Sequence, residues 1–335
     1  MKGAVPFAVL AVALLAMMAV GEYYVYCSGA FEYTSEAEWK DGRFVYSVSS
    51  SGSDAYSVVV MDGAAVPREL CIFVDETYDD NVDEARKVTV LNHFSQRYYA
   101  EQIQKQLALR SYTNVSLEES GGFSKHILDT MGDAEGRAVL VVSCSLPSSI
   151  YTGNPSDPII EWAKAGGTVY WVGSEPGRFY TDSTGLKEVP SGQELFLGAE
   201  CVYIGPSERA SQKVDNGFGD ALILKNSDIA FAVDVSVLDN ALAMGFSRDG
   251  HSTVGMVPLG LGEVCVVSGA FSIEQMEDVA QLIASGASCG SSVERTESGK
   301  VVRSICTGEI PAEAGSTLYI NIGGTYLKHG AAYHA

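Results

Sequence analysis

Residues 137–178 restrict the fold of this chain more than any other stretch. They open on the unbroken apolar run 138–142, pass through Ser143-Cys144-Ser145 and a loop rich in Pro, Ser, Gly and Asn, and continue as segment 157–165 up to Gly166-Gly167. A second apolar run, 168–172, follows at once and stops at Gly173. A strand buried on both faces carries a continuous β-branched run, because helices cover both sides of a parallel sheet. A glycine after a helical stretch supplies the positive-φ residue that ends a helix. The stretch therefore reads as strand, helix, tight turn and strand, the βαβ crossover that two parallel strands require.

The flanking segments extend that unit. Residues 87–92 are expected to form a strand, 93–96 its C-terminal loop, and 97–110 a helix with Tyr99, Ile103 and Leu107 on one face. Residues 114–117 predict a strand and 123–131 a short helix. Asp249-Gly250 is a hairpin turn signal, and Gly260-Leu261-Gly262 leads into the apolar run 264–267. Residues 273–285 close the α/β part as a helix with Met276, Val279 and Ile283 on one face. At the amino end, 43–48 and 55–60 read as a hairpin and 69–74 as a further strand. At the carboxyl end, 300–306 and 316–322 read as strands expected to join the first ones. The expected fold is α/β: a mostly parallel, flavodoxin-like sheet flanked by helices, with a β layer added from both chain ends. The expected divisions are 1–26 as a membrane anchor or signal peptide, 27–84 as an N-terminal β segment, 85–287 as the α/β domain and 288–335 as a C-terminal β segment packing on the first.

Charge and cysteine usage exclude several partners. Asp and Glu number 42 against 22 Lys and Arg, and a net charge of -20 repels phosphate backbones, so nucleic acid is excluded as a partner. None of the seven cysteines falls in a Cys-x-x-Cys pair, which leaves a zinc ribbon without support. Cys144 and Cys265 read as small core residues, whereas Cys289 and Cys306 flank a polar loop and are the candidate disulfide. His93, His126, His251, His329 and His334 lack metal-ligand spacing. The acidic segment 75–84 reads as a solvated linker, since the spacing and central glycine of a calcium loop are missing. No cofactor is expected. Asn114-Val115-Ser116 is a glycosylation sequon. Lys2 precedes the apolar run 4–20, and a positive end stays in the cytoplasm. The expectation is a single-pass anchor with the C-terminal domain outside, or a secreted chain cleaved after Ala19-Val20-Gly21. Membrane contact through the N-terminal helix follows, with an envelope or transporter protein as partner.

Three patterns carry a family resemblance: an apolar strand before the helix at 98–109, the run 161–169 ending in Gly166-Gly167-Thr168-Val169, and Gly260-x-Gly262 before a strand and the closing helix. Together they span about 200 residues, and the order of 88–285 resembles the class I glutamine amidotransferase-like superfamily. It is similar to domains of membrane-anchored proteins auxiliary to transport systems. The resemblance implies a nucleophilic cysteine at a Gly-x-Cys-x-Gly elbow; this chain has Gly173-Ser174-Glu175-Pro176-Gly177, with Glu175 at the cysteine position. It also implies a His-x-Glu pair after the late strand, where residues 268–274 hold no histidine. A thiolate needs both a thiol and a base within reach, so the resemblance implies a degenerate, non-catalytic member.

In open α/β sheets, ligands sit beyond the carboxyl ends of the strands. That rule nominates His93, Ser95 and Gln96, then Ser143 and Ser145, then Ser174 and Glu175, and finally Ser268 as binding or catalytic candidates. The expected function is binding or assembly at the cell surface by a non-catalytic domain. The alternatives are an extracytoplasmic hydrolase using Glu175 with His93 and a structural envelope protein.

Overall fold

The computed structural model describes residues 33–75, 82–83, 88–89, 95–143, 145–172, 175–199, 202–204, 210–213, 218, 222, 224, 232–235, 238–247, 252–267, 273–322 and 325–331. The chain enters on an antiparallel hairpin, β1 (Tyr33–Lys40) and β2 (Arg43–Asp62), followed by β3 (Glu69–Phe73). A small ladder of β4 (Val82–Asp83) with β5 (Val88–Thr89) precedes helix α1 (Gln96–Leu109). Then come β6 (Val115–Glu118), α2 (Ser120–Asp129), β7 (Arg137–Val141), β8 (Leu146–Pro147), α3 (Pro158–Lys164) and β9 (Thr168–Val172). The hairpin of β10 (Phe179–Asp182) and β11 (Gly185–Glu188) leads to α4 (Gly192–Leu197), β12 (Val202–Ile204), β13 (Ala210–Lys213) and β14 (Ala232–Asp234). Strands β15 (Leu242–Ser247), β16 (Ser252–Leu259) and β17 (Gly262–Val267) precede α5 (Ile273–Ser285). β18 (Ser292–Pro311), β19 (Thr317–Ile322) and β20 (Thr325–Ala331) follow.

Eight strands form one sheet in the order β13-β15-β16-β17-β9-β7-β3-β6. From β17 to β6 every pairing is parallel, whereas β13, β15, β16 and β17 pair antiparallel. A second sheet, of five strands, is antiparallel throughout. This corrects the expected mostly parallel, flavodoxin-like sheet: the large sheet is mixed. Its β16 and β17 meet across the two-residue turn Gly260-Leu261, and a run buried on both faces reads the same whichever way its neighbour points. The place expected for a strand at 87–92 is also taken by β3; among the described residues β5 pairs only with β4.

Alternation divides the core. Leu70, Ile72, Leu140, Tyr170, Val172 and Cys265 face α1 and α5, packing on Tyr99, Ile103, Leu107, Val279 and Ile283. Cys71, Phe73, Val139, Val141, Val169 and Trp171 face the other way, onto Phe123 of α2, Ile160 and Trp162 of α3, and Phe196 of α4. Each such side chain contributes about 1.5–3 kcal/mol on burial. The five-stranded sheet is built on β2, which pairs with β18 along its whole length, with β1 on its first half and with β19 on its second. Val58 and Val60 of β2 belong to that sheet's own core with Leu318 and Ile320. Val59, Met61 and Tyr319 belong to the large sheet's core. The Tyr319 hydroxyl donates to the Ser285 carbonyl, and the Glu263 carboxylate accepts from the Cys289 N–H at 2.8 Å, so both sheets are tied at the end of α5.

The glycine pairs seen in the sequence meet at the amino edge of β9 and β17. Gly166 and Gly260 have φ of +115° and +65°, the left-handed region that suits glycine. The Leu261 N–H donates to the Lys164 carbonyl at 2.8 Å, and a Cβ on Gly262 would lie 2.2 Å from the Gly167 carbonyl oxygen. Gly167 itself rests on the Trp162 ring, 2.3 Å from where a Cβ would stand.

The anchor or signal-peptide reading of residues 1–26 lies outside the described residues. Among the described residues no helix is long and apolar enough to cross a membrane. Tethering through an N-terminal helix, the membrane as partner and the extracytoplasmic placement find no support among the described residues and are not carried further.

Gly167→Ala overpacks Trp162 and is expected to cost about 1–3 kcal/mol in urea unfolding, while Gly121→Ala, whose added Cβ meets nothing within 4 Å, is expected to stabilise by about 0.4–1 kcal/mol. His126 in α2 is half-buried, and burial lowers its imidazole pKa below the ordinary 6.5 despite the nearby Glu118 and Asp129. The unfolded chain then binds the proton more readily, so stability is expected to fall as pH drops through 6.5. His126→Gln should flatten that part of a stability–pH profile.

Candidate functional site

The crossover from β3 through α1 to β6 runs on one face of the sheet, and the return through α2 to β7 runs on the other. Helix α3, on the connection leaving β7, packs on that second face as well, so the connections leaving β3 and β7 diverge, and ligands favour the crevice at such a divergence, outside the carboxyl ends of the strands. A cavity of about 520 Å³ lies there. Asp75 enters it just past β3; Ser120, Gly121 and Ser124 come from the first turns of α2. Pro147, Ser148 and Ser149 follow β8, and Thr181, Asp182 and Ser183 stand at the end of β10.

The lining is held by the chain's own hydrogen bonds. Asp75 is only 3% exposed, and the Gln96 amide clamps its backbone, accepting from its N–H at 2.8 Å and donating to its carbonyl at 3.2 Å. The Thr181 hydroxyl donates to the Asp75 carboxylate at 3.4 Å, and the Ser148 N–H donates to the Thr181 carbonyl at 2.8 Å. The Ser124 and Ser149 hydroxyls are 2.6 Å apart. Asp182 accepts from both the hydroxyl and the N–H of Thr184 at 2.7 Å, and these bonds hold its carboxyl below the usual carboxylate range. The polar lining is thus two carboxylates and six hydroxyls, with no His, Cys, Lys or Arg among the described lining residues. No group of three or more His, Cys, Asp or Glu among the described residues is placed to hold a metal.

None of the nominated residues that the structure describes lines this cavity. His93, Ser174 and Ser268 lie outside the described residues. Ser95 is exposed and caps α1, accepting from the Tyr98 N–H at 3.3 Å. Gln96 acts behind the lining, through Asp75. Ser143 and Ser145 are fully buried, and the Ser145 N–H donates to the Ser143 hydroxyl at 3.2 Å; neither lines the cavity. Glu175 is 2% exposed, its carboxylate 3.7 Å from the Arg178 guanidinium, and it does not line the cavity either. Arg178 in turn pairs with Glu188 and donates to the Pro190 carbonyl at 3.2 Å, which braces the turn after β9. Asn114 is exposed, and its side-chain amide donates to the Arg68 carbonyl at 2.7 Å. The expected Cys289–Cys306 bridge is corrected: both thiols are free, Cys289 against the large core and Cys306 against the smaller one beside Tyr56. Asp75, Ser120, Ser124, Ser149, Thr181 and Asp182 were missed. The signal for Asp75 was its place directly after the apolar run 70–74, once that run is put in the large sheet.

No family model matches the chain, and no curated protein matches its sequence. Solved structures do overlap it. An exo-β-1,4-mannosidase from an Opitutaceae bacterium is 13% identical, with a TM-score of 0.35 over 66% of this chain and 33% of that one. A β-galactosidase from Bacillus circulans is 9% identical, with a TM-score of 0.41 over 68% of this chain and 32% of its own. A cytoplasmic protein from Salmonella typhimurium is 11% identical, with a TM-score of 0.37 over 64% of this chain and 95% of that one. The chain spans about a third of the length of the two glycosidases. Such low scores give no argument about activity. With no family model and no curated sequence behind it, the resemblance to the class I glutamine amidotransferase-like superfamily is withdrawn. The glycines that suggested it are accounted for by the contact of Gly167 with Trp162 and Gly262.

The Gln96 clamp gives a test of how the site is held. Gln96→Leu removes both bonds to the buried Asp75 backbone and is expected to cost about 1–3 kcal/mol in chemical denaturation.

Proposed function

We propose that this protein binds a small polar molecule in the cavity beside Asp75, and that it acts by binding rather than by covalent catalysis. The observation that carries the reading is the cavity itself: about 520 Å³, at the carboxyl ends of the strands, lined by side chains from four separate connections. That volume falls within the usual range of ligand pockets, roughly 300–1,000 Å³. Its hydroxyls have no histidine or lysine beside them among the described lining residues to serve as a base, which a serine nucleophile needs. A hydrolase centred on Glu175 has less support, because that carboxylate is enclosed with Arg178 and stands outside the cavity.

A thermal-shift screen of small polar molecules tests this reading against two variants that fill the cavity, Ser149→Leu and Gly121→Leu. The second keeps the fold accessible, since its Cβ meets nothing within 4 Å. The expected outcome is a set of compounds that raise the wild-type Tm and lose that effect in both variants. No stabilising compound, or equal shifts in wild type and both variants, would overturn the proposal.

A further inference from the structure

We infer that the ligand of this cavity is a cation, an aliphatic amine bearing hydroxyl groups, whose ammonium is held between Asp75 and Asp182. The inference rests on the cavity being the binding site. The two carboxylates come from different parts of the chain, one past β3 and one at the end of β10, yet both line the same space. Asp75 is buried, and its backbone is fixed by Gln96. Asp182 is fixed by Thr184, whose bonds also hold its carboxyl below the usual carboxylate range. Every other polar side chain among the described lining residues is a hydroxyl, which donates to or accepts from a ligand hydroxyl equally well.

Among the described lining residues no cationic side chain is present to meet an anion. Arg97 pairs with Glu119 at 2.6 Å, and Lys187 acts on Asp182 from β11 without lining the cavity. The amino end of α2 would favour an anion in isolation. The chain's own Glu118 carboxylate already lies against that first turn, 1.9 Å from where a Cβ on Gly122 would stand. The net charge of -20 further raises the local concentration of cations.

The test uses the whole chain and three probes of one skeleton: 1-amino-1-deoxysorbitol, sorbitol and gluconate, titrated calorimetrically at low and moderate salt. The amine is expected to bind at least tenfold more tightly than sorbitol, gluconate not at all, and added salt to weaken the amine selectively. Asp182→Asn, which keeps an acceptor for Thr184, is expected to weaken the amine at least tenfold and to bring the affinities for amine and sorbitol close together. Binding of sorbitol or gluconate as tight as that of the amine, or of none of the three, overturns the inference. The two failures separate: binding lost in Gly121→Leu but blind to charge removes only the cation, whereas amine binding unchanged in Gly121→Leu and Ser149→Leu removes the site.

Discussion

Burial on both faces of β3, β7, β9 and β17 is the constraint from which the rest follows. Leu140 and Val141 point to opposite cores and neither touches water, as do Tyr170 and Trp171. Strands so enclosed satisfy their backbone groups only within the sheet, so polar chemistry is confined to the strand ends. Helices α1 and α5 on one side, and α2 and α3 on the other, supply the cover and occupy the space a ligand would need on either face. The cavity at the carboxyl end of β3 is where that enclosure opens.

The second sheet is attached by the same alternation. β2 sends Val58 and Val60 to one core and Val59 and Met61 to the other, so neither sheet can slide by one residue without exposing a hydrophobic set. Tyr319 repeats the device from β19 and adds its hydrogen bond to Ser285. Gly286, with φ of +67°, ends α5 where a side chain would strike the Val66 backbone at 2.3 Å. The backbone there joins the two layers directly, the Ala65 N–H donating to the Gly286 carbonyl at 2.8 Å.

Sequence periodicity revealed the helical face of Tyr99, Ile103 and Leu107 and the paired runs at 138–142 and 168–172, because one-sided and two-sided burial leave different patterns. It did not reveal which apolar run enters the large sheet. Residues 69–74 and 87–92 are both β-branched and both bounded by polar loops, and only tertiary pairing chose the first. The Asp249-Gly250 turn signal pointed to the antiparallel pairing of β15 with β16, but the direction of β16 against β17 was hidden, since both runs are apolar and read alike either way. The site was largely illegible for a related reason. Ser124, Ser149 and Asp182 are common loop and helix-start residues, and nothing local in 120–124, 147–149 or 181–183 signals that the three segments converge.

The two ends of the sheet explain why the conspicuous sequence features and the candidate site lie apart. At the amino edge, Gly166, Gly167, Gly260 and Gly262 let backbones meet without side chains between them, which closes that edge to any ligand. The elbow at Glu175 is closed in a similar way: the Tyr151 hydroxyl donates to the Gly177 carbonyl at 2.7 Å, and a Cβ on Gly192 would lie 1.8 Å from that same oxygen. Close backbone approach demands glycine, so glycine patterns mark where this chain is most tightly shut. A ligand needs the opposite, a place where short hydroxylated side chains leave room and offer hydrogen bonds. Ser120, Ser148 and Ser149 satisfy that requirement at the edge where the connections leaving β3 and β7 part.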